Sequence, residues 1–250
     1  MPRNNEYRAG DSLPGAERYL RTSSRPVSFP GVDAFKAVYM PVIHEDAVSE
    51  LCRTLLKPCE IRRAERFTHA VDRHEYMQRR AFQRLCAALA AASRKPMADF
   101  EWKHDANGRP ALREAPEINF SFASCAQGMV GAWSKSHLIG VDIEPLNHGL
   151  DVLAMGKQYF TPRELETLEH SPRSERIALF FRLWRIKEAA LKAIGQGLPF
   201  GMDRFEILLE PEVRFLAVPE VFGEPRNFEI FECQGLPVGA ALVTRKCAKA

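Results

Sequence analysis

The sequence predicts an α+β fold with strand-helix-strand segments in two halves, and three observations lead there. Strand-helix-strand segments occur in both halves of the chain. They lack the regular βαβ alternation that a parallel, doubly wound sheet requires. No repeat of solenoid period runs through the 250 residues, so a stacked array is excluded as well. At 46% apolar and 27% charged the chain can bury a sizeable core, which excludes both a disordered segment and a staple-dependent miniprotein. The expected units are a flexible N-terminal extension over residues 1–34, an N-terminal half over 35–138 and a C-terminal half over 139–250.

The elements follow in order. Residues 1–34 mix Gly, Pro, Ser and Arg without helical or strand period. Residues 34–42 are apolar and aromatic at strand length, and 46–56 place Val48, Leu51, Cys52 and Leu55 at helical spacing. Residues 73–92 read as the clearest helix of the first half, with Met77, Ala81, Leu85, Ala88 and Leu89 on one side. Asn107-Gly108-Arg109-Pro110 is turn chemistry. Residues 118–121, 129–133 and 138–143 read as three short strands. Residues 161–184 begin a helix with Thr161 as N-cap, Pro162 at its first position and Glu164 to close a capping box. A second helical run over 182–194 ends at Gly195, a residue suited to a helix C-terminus. Residues 205–209, 214–218, 227–233 and 238–244 complete the fold as strands.

Composition narrows the function. Six scattered cysteines form no CxxC pair, so neither a zinc site nor a disulfide framework is expected, and a reducing, cytoplasmic setting fits. No apolar stretch approaches the roughly 18 residues of a membrane span, and residues 1–21 lack the apolar centre of a signal peptide. A net charge of +3 is too mild to imply nucleic acid. It is unevenly spread, though: residues 51–84 carry nine Lys or Arg against four Asp or Glu.

Two segments carry chemistry. In Gly140-Val141-Asp142-Ile143-Glu144 a strand period sends Asp142 and Glu144 to one face, while Val141 and Ile143 go to the other. Two carboxylates so placed repel, and a hard cation such as Mg²⁺ relieves that repulsion. Alone, such a pair reads most simply as a solvated strand end. In Trp184-Arg185-Ile186-Lys187-Glu188-Ala189-Ala190-Leu191-Lys192 the helical period aligns Trp184, Glu188 and Lys192, with Lys187 adjacent. By itself this is a surface Glu-to-Lys pair contributing about 0.3–0.5 kcal/mol. Together the segments complement each other: three carboxylates for a divalent cation, and two ammonium groups for phosphate oxygens.

These two segments resemble the paired GxDxE and WxxKEAxxK signatures of the 4'-phosphopantetheinyl transferase superfamily. The resemblance runs from about residue 62 to 209 and includes Arg66-Phe67, Asp72-Arg73-His74 and the Gly108-Arg109-Pro110 turn. Chain length and the continuation Gly195-Gln196-Gly197-Leu198 favour the monomeric, Sfp-type branch with two pseudo-equivalent halves and coenzyme A between them. It implies transfer of the 4'-phosphopantetheine arm of coenzyme A to a serine of an acyl or peptidyl carrier protein, with release of 3',5'-ADP. The resemblance implies Mg²⁺, or Mn²⁺ in its place, on Asp142, Glu144 and Glu188, with Glu188, Lys192 and Asp142 as the catalytic set. Coenzyme A contacts are implied for Arg63, Arg66, Gly108, Arg109, Pro110, Ser121, Lys187 and Lys192. The partners implied are a carrier protein with an acidic helix and coenzyme A, with neither nucleic acid nor membrane.

One stretch departs from the family pattern. Where an FNxSHS segment is expected the chain has Asn119-Phe120-Ser121-Phe122-Ala123-Ser124. Phe122 takes the place of a histidine and cannot donate to a phosphate oxygen. Three outcomes stay open: another basic residue substitutes, coenzyme A binds more weakly, or the protein binds coenzyme A or a nucleotide without transferring it. Arg63 and Arg66 favour the first.

Overall fold

The computed structural model describes residues 15–27, 34–93, 95–105, 108–147, 149–233 and 235–246. Helix α1 (Gly15–Ser23) buries Ala16, Glu17 and Leu20. The Glu17 carboxylate accepts the Met97 backbone N–H at 2.9 Å, which explains an acid on the buried side. Strand β1 (Arg25–Val27) pairs antiparallel with β2 (Lys36–Pro41). Residues 15–27 therefore do not form the loose extension expected of 1–34. They belong to the fold: Ala16, Tyr19 and Leu20 stand at helical spacing and pack into the first core, a stripe short enough to be hidden among the neighbouring Gly, Pro and Ser. Residues 1–14 and 28–33 of that expected extension lie outside the described residues.

Helices α2 (Asp46–Arg53), α3 (Pro58–Ala64) and α4 (Ala70–Ala91) follow. The Glu60 carboxylate ties the last two together: it accepts from Arg84 Nη2 at 2.7 Å and from the Lys57 backbone N–H at 2.9 Å, capping α3. A hairpin of β3 (Trp102–His104) and β4 (Pro110–Leu112) leads to β5 (Asn119–Cys125), β6 (Gly128–Ser134) and β7 (His137–Glu144).

The second half contains α5 (Val152–Tyr159), α6 (Pro162–His170) and α7 (Arg173–Ile194), then β8 (Glu206–Leu208), β9 (Arg214–Ala217), β10 (Phe228–Cys233) and β11 (Gly239–Lys246). The capping box at Thr161 and Glu164 forms as the sequence predicts, and Gly195 closes α7 with φ of 72°. The helical break falls at Ser171-Pro172, not near 182. Proline removes the helical conformation from the residue before it, so Ser171 is extended, and 173–194 run on as one helix.

The strands make two main sheets, ordered β1-β2-β6-β5 and β10-β11-β7, plus two hairpins. Alternation along each strand builds three cores. Val38 and Met40 point to α4, while Ala37 and Tyr39 point to the second sheet. From that sheet Ile139, Val141, Ile143, Ala240 and Leu242 meet them, so the two sheets bury one face against each other. Ala241 and Val243 face outward onto Ala189, Ala190 and Ala193 of α7. The result is a mixed α+β architecture with α4 outside one sheet and α7 outside the other. No described helix is long and apolar enough to cross a membrane.

Candidate functional site

The site starts from a glycine. A Cβ at Gly140 would run into the backbone of Ala189 and Ala193, so only glycine lets α7 lie this close to β7. That approach sets Asp142, two residues on, against the helix. Lys192 Nζ stands 2.8 Å from Asp142 Oδ1 and donates to the Val141 carbonyl at 3.1 Å. Asp142 is buried, and its Oδ2 has no hydrogen-bond partner.

Glu144 and Glu188 complete an acidic group around this pair. Burial, aided by the Asp142 charge, pushes the Glu144 carboxyl up to about 7 from 4.5. Burial also raises Glu188, against the pull of Lys192 and with the repulsion of Asp142. Both carboxyls thus resist ionisation until a positive charge compensates them. An orphaned, buried carboxylate oxygen between two reluctant acids suits a hard cation with oxygen ligands. Among the described residues no three such side chains already stand close enough together to hold an ion. Arg185, one turn before Glu188, lies over Gly239, where a side chain would collide with its guanidinium; burial lowers its proton affinity, and its Nη1 is buried without a hydrogen-bond partner.

In front of Lys192 lies a cleft with two lobes. One, of about 250 Å³, is lined by Gln83, His104, Gly108, Arg109, Pro110, Phe120, Ser121, Phe122, Lys192, Gly195 and Gln196. The other, of about 360 Å³, is lined by Arg79, Phe82, Gln83, Phe122, Ala123, Ser124, Met129 and Lys192. Gln83, Phe122 and Lys192 border both. Five residues expected at coenzyme A therefore meet in one lobe: Gly108, Arg109, Pro110, Ser121 and Lys192. Gly108 has φ of 79°, and the Asp105 carboxylate accepts from the Arg109 backbone N–H at 2.9 Å and from its Nε at 2.8 Å, which fixes the turn and aims the guanidinium. Ser121 Oγ accepts the Val141 N–H at 3.0 Å and so joins the two sheets.

Three expectations come out differently. Lys187 does not reach the cleft. It is fully buried on the other side of α7, 2.6 Å from Glu164 Oε2, and donates to the carbonyls of Met202 at 3.0 Å and Phe205 at 2.5 Å. Adjacent helix positions are about 100° apart, so placing Glu188 toward β7 turns Lys187 into the core. Arg63 and Arg66 line a different cavity of about 630 Å³, together with Cys59, Arg62 and Phe67. Phe122 is held by ring contacts to Trp102 at 5.5 Å and Phe120 at 6.1 Å, making an apolar partition between the lobes.

Sequence reading missed Arg79, Gln83, His104 and Gln196 as cleft residues. Gln83 had a signal: it lies one turn after Arg79 on the long helix, on the side that must face β5.

A family model described as the 4'-phosphopantetheinyl transferase superfamily matches residues 138–243. The 4'-phosphopantetheinyl transferase psf-1 of Bacillus pumilus is 31% identical over 117 residues, 47% of this chain and 49% of its own length. The 4'-phosphopantetheinyl transferase HetI of Nostoc sp. is 28% identical over 170 residues, 67% and 70%. The 4'-phosphopantetheinyl transferase Sfp of Bacillus subtilis (strain 168) is 24% identical over 180 residues, 70% and 76%. The chain thus spans from about half to three quarters of the length of these relatives. The matched segment contains both the β7 carboxylates and the α7 motif that faces them, so it is in the residues of the site that this chain is similar to the 4'-phosphopantetheinyl transferase superfamily and to these relatives.

Proposed function

We propose that this protein transfers the 4'-phosphopantetheine arm of coenzyme A to a serine of an acyl or peptidyl carrier protein and releases 3',5'-ADP. The observation that carries this reading is the Lys192–Asp142 pair, flanked by Glu144 and Glu188, at the wall of a cleft lined by Arg109.

Asp142, Glu144 and Glu188 would hold Mg²⁺ or Mn²⁺, which supplies positive charge against the diphosphate. Lys192 and Arg109 are placed to contact phosphate oxygens, and both are cations that a diphosphate attracts strongly. The carrier serine hydroxyl attacks the phosphorus nearest the pantetheine. Glu188, directly or through a water it positions, takes the hydroxyl proton. The P–O bond to the adenosine phosphate breaks, and 3',5'-ADP leaves with the bonding electron pair. Glu188 is suited to this work because burial raises its proton affinity toward the working pH. The basic run of residues 51–84 suits an acidic carrier helix by charge complementarity. Cys52, Cys59, Cys86 and Cys125 are free thiols, and the pseudo-duplicated chain is read as working in the cytoplasm, alone, as a monomer.

The test is incubation of the purified chain with coenzyme A, Mg²⁺ and several apo carrier proteins, followed by intact mass spectrometry. A phosphopantetheine adduct on at least one carrier is expected. No adduct on any carrier, with a known transferase succeeding alongside, would refute the proposal.

A further inference from the structure

The cleft lobe beyond Phe122 has a cation that the motifs do not account for. Arg79 sits on α4, and its Nη1 donates to Ser124 Oγ at 3.4 Å, at the far edge of hydrogen-bond reach. The same lobe is lined by Lys192. Other arginines nearby each have a carboxylate partner. Arg80 and Arg84 lie 3.7 and 2.7 Å from Glu60, and Arg109 lies 2.8 Å from Asp105. Among the described residues no carboxylate stands within ion-pair distance of Arg79. Its guanidinium therefore keeps its capacity for an anion, in a half-buried setting where a charged contact is stronger than in bulk water.

The wall beside it makes the same point from the other direction. Phe122 presents only carbon to both lobes, and Ala123 adds no donor. A phosphate in this lobe has Lys192, the Ser124 hydroxyl, the Gln83 amide and Arg79 to bind to, and of these only Lys192 and Arg79 are cations. Arginine offers a planar set of N–H donors that matches two phosphate oxygens at once.

We propose that Arg79, oriented by Ser124, is a phosphate-contacting residue of this cleft and supplies the anchor that Phe122 cannot. The assignment rests on the reading above that coenzyme A occupies the cleft. The ligand is a phosphate oxygen, and coenzyme A offers two sources of it: the diphosphate and the ribose 3'-phosphate.

Calorimetric titration of the full chain, in Mg²⁺, with coenzyme A and with 3'-dephospho-coenzyme A tests the proposal. Arg79→Gln keeps the stem and loses the charge, and should weaken coenzyme A binding roughly ten- to hundredfold, the size of a lost charge-assisted contact. Arg79→Lys should recover part of that loss. In steady-state transfer the Gln variant should raise KM for coenzyme A far more than it lowers kcat, a split that a purely structural role would not produce. If the Gln variant loses nothing against the dephospho ligand, Arg79 binds the 3'-phosphate; an equal loss against both ligands assigns it to the diphosphate. Coenzyme A affinity in Arg79→Gln within twofold of wild type, with wild type binding and transferring normally, overturns the assignment and leaves the transfer reading standing. Wild-type protein that binds no coenzyme A overturns both.

Discussion

Lys187 and Glu164 form a buried ion pair at 2.6 Å, with essentially no solvent exposure on either side chain. Glu164 serves three partners at once: the ammonium, the Thr161 N–H of its own capping box at 2.9 Å, and the Ile207 N–H at 2.9 Å. The lysine of the α7 motif thus fastens α7, α6 and the segment before β8 into one block, behind the residues that face the cleft.

Lys187→Met should therefore act on stability and not on affinity. Removing one partner leaves the carboxylate buried and uncompensated, at a cost of roughly 3–5 kcal/mol. Urea denaturation should show that loss, while the folded fraction binds coenzyme A as wild type does. A normal unfolding midpoint with weakened coenzyme A binding would return Lys187 to the cleft.

The contact of Gly140 with α7 makes a second prediction. Gly140→Ala forces the helix away from β7 and should destabilise by roughly 1–3 kcal/mol or more, as overpacking does. It should also lower transfer, because Asp142 and Lys192 are separated by the same shift. Gly149→Ala, whose nearest neighbour is the Asn147 side chain at 3.5 Å, is the control and should be nearly neutral on both counts.

Glu144 gives the cation-free protein a pH dependence. Its carboxyl titrates near 7 in the folded chain and near 4.5 when unfolded, so between those values the native state holds a proton that the unfolded state has released. Its contribution to stability is fully present below about pH 4.5 and is lost as pH rises through 7. Thermal melts in EDTA from pH 5 to 8 should show the decline, and Glu144→Gln should flatten it. Added Mg²⁺ should stabilise more at pH 8 than at pH 5, since binding displaces that proton. A stabilisation by Mg²⁺ that is greater at pH 5 contradicts the assignment.

Glu188→Gln separates chemistry from folding. Loss of a general base and cation ligand should reduce transfer by roughly 10²- to 10⁴-fold. Stability without a cation should hold or rise, because burial and the Asp142 charge already disfavour the ionised form. Near-wild-type turnover would remove Glu188 from the reaction.

Local signals made much of this molecule legible. Thr161, Pro162 and Glu164 specify a helix start through neighbours three residues away, and the helix starts there. Gly195 marks a helix end by needing positive φ, and α7 ends there. The strand period put Asp142 and Glu144 on the face opposite Val141 and Ile143, and the latter two fill the core between the sheets. What stayed hidden depends on distant partners. Lys187 and Glu164 lie 23 positions apart, and nothing in the α7 repeat says which of two adjacent side chains meets the core. Glu17 and Met97 are 80 residues apart, so the helix at residues 15–23 could not be separated from a loose tail. Arg79 looked like one more member of a basic run until the fold left it unneutralised beside Ser124.

Ser121 and Lys192 also complete the backbone pairing of one strand. Val141 lies on β7, an outer strand of its sheet, where it is buried, and a buried backbone N–H or C=O left without a partner is costly. Here the Val141 N–H is occupied by the Ser121 hydroxyl and its C=O by the Lys192 ammonium, one supplied by each sheet's side of the cleft. The side chains that face the cleft therefore also hold a strand edge that water does not reach, so loss of Lys192 would leave a buried carbonyl unpaired and would be felt in stability as well as in turnover.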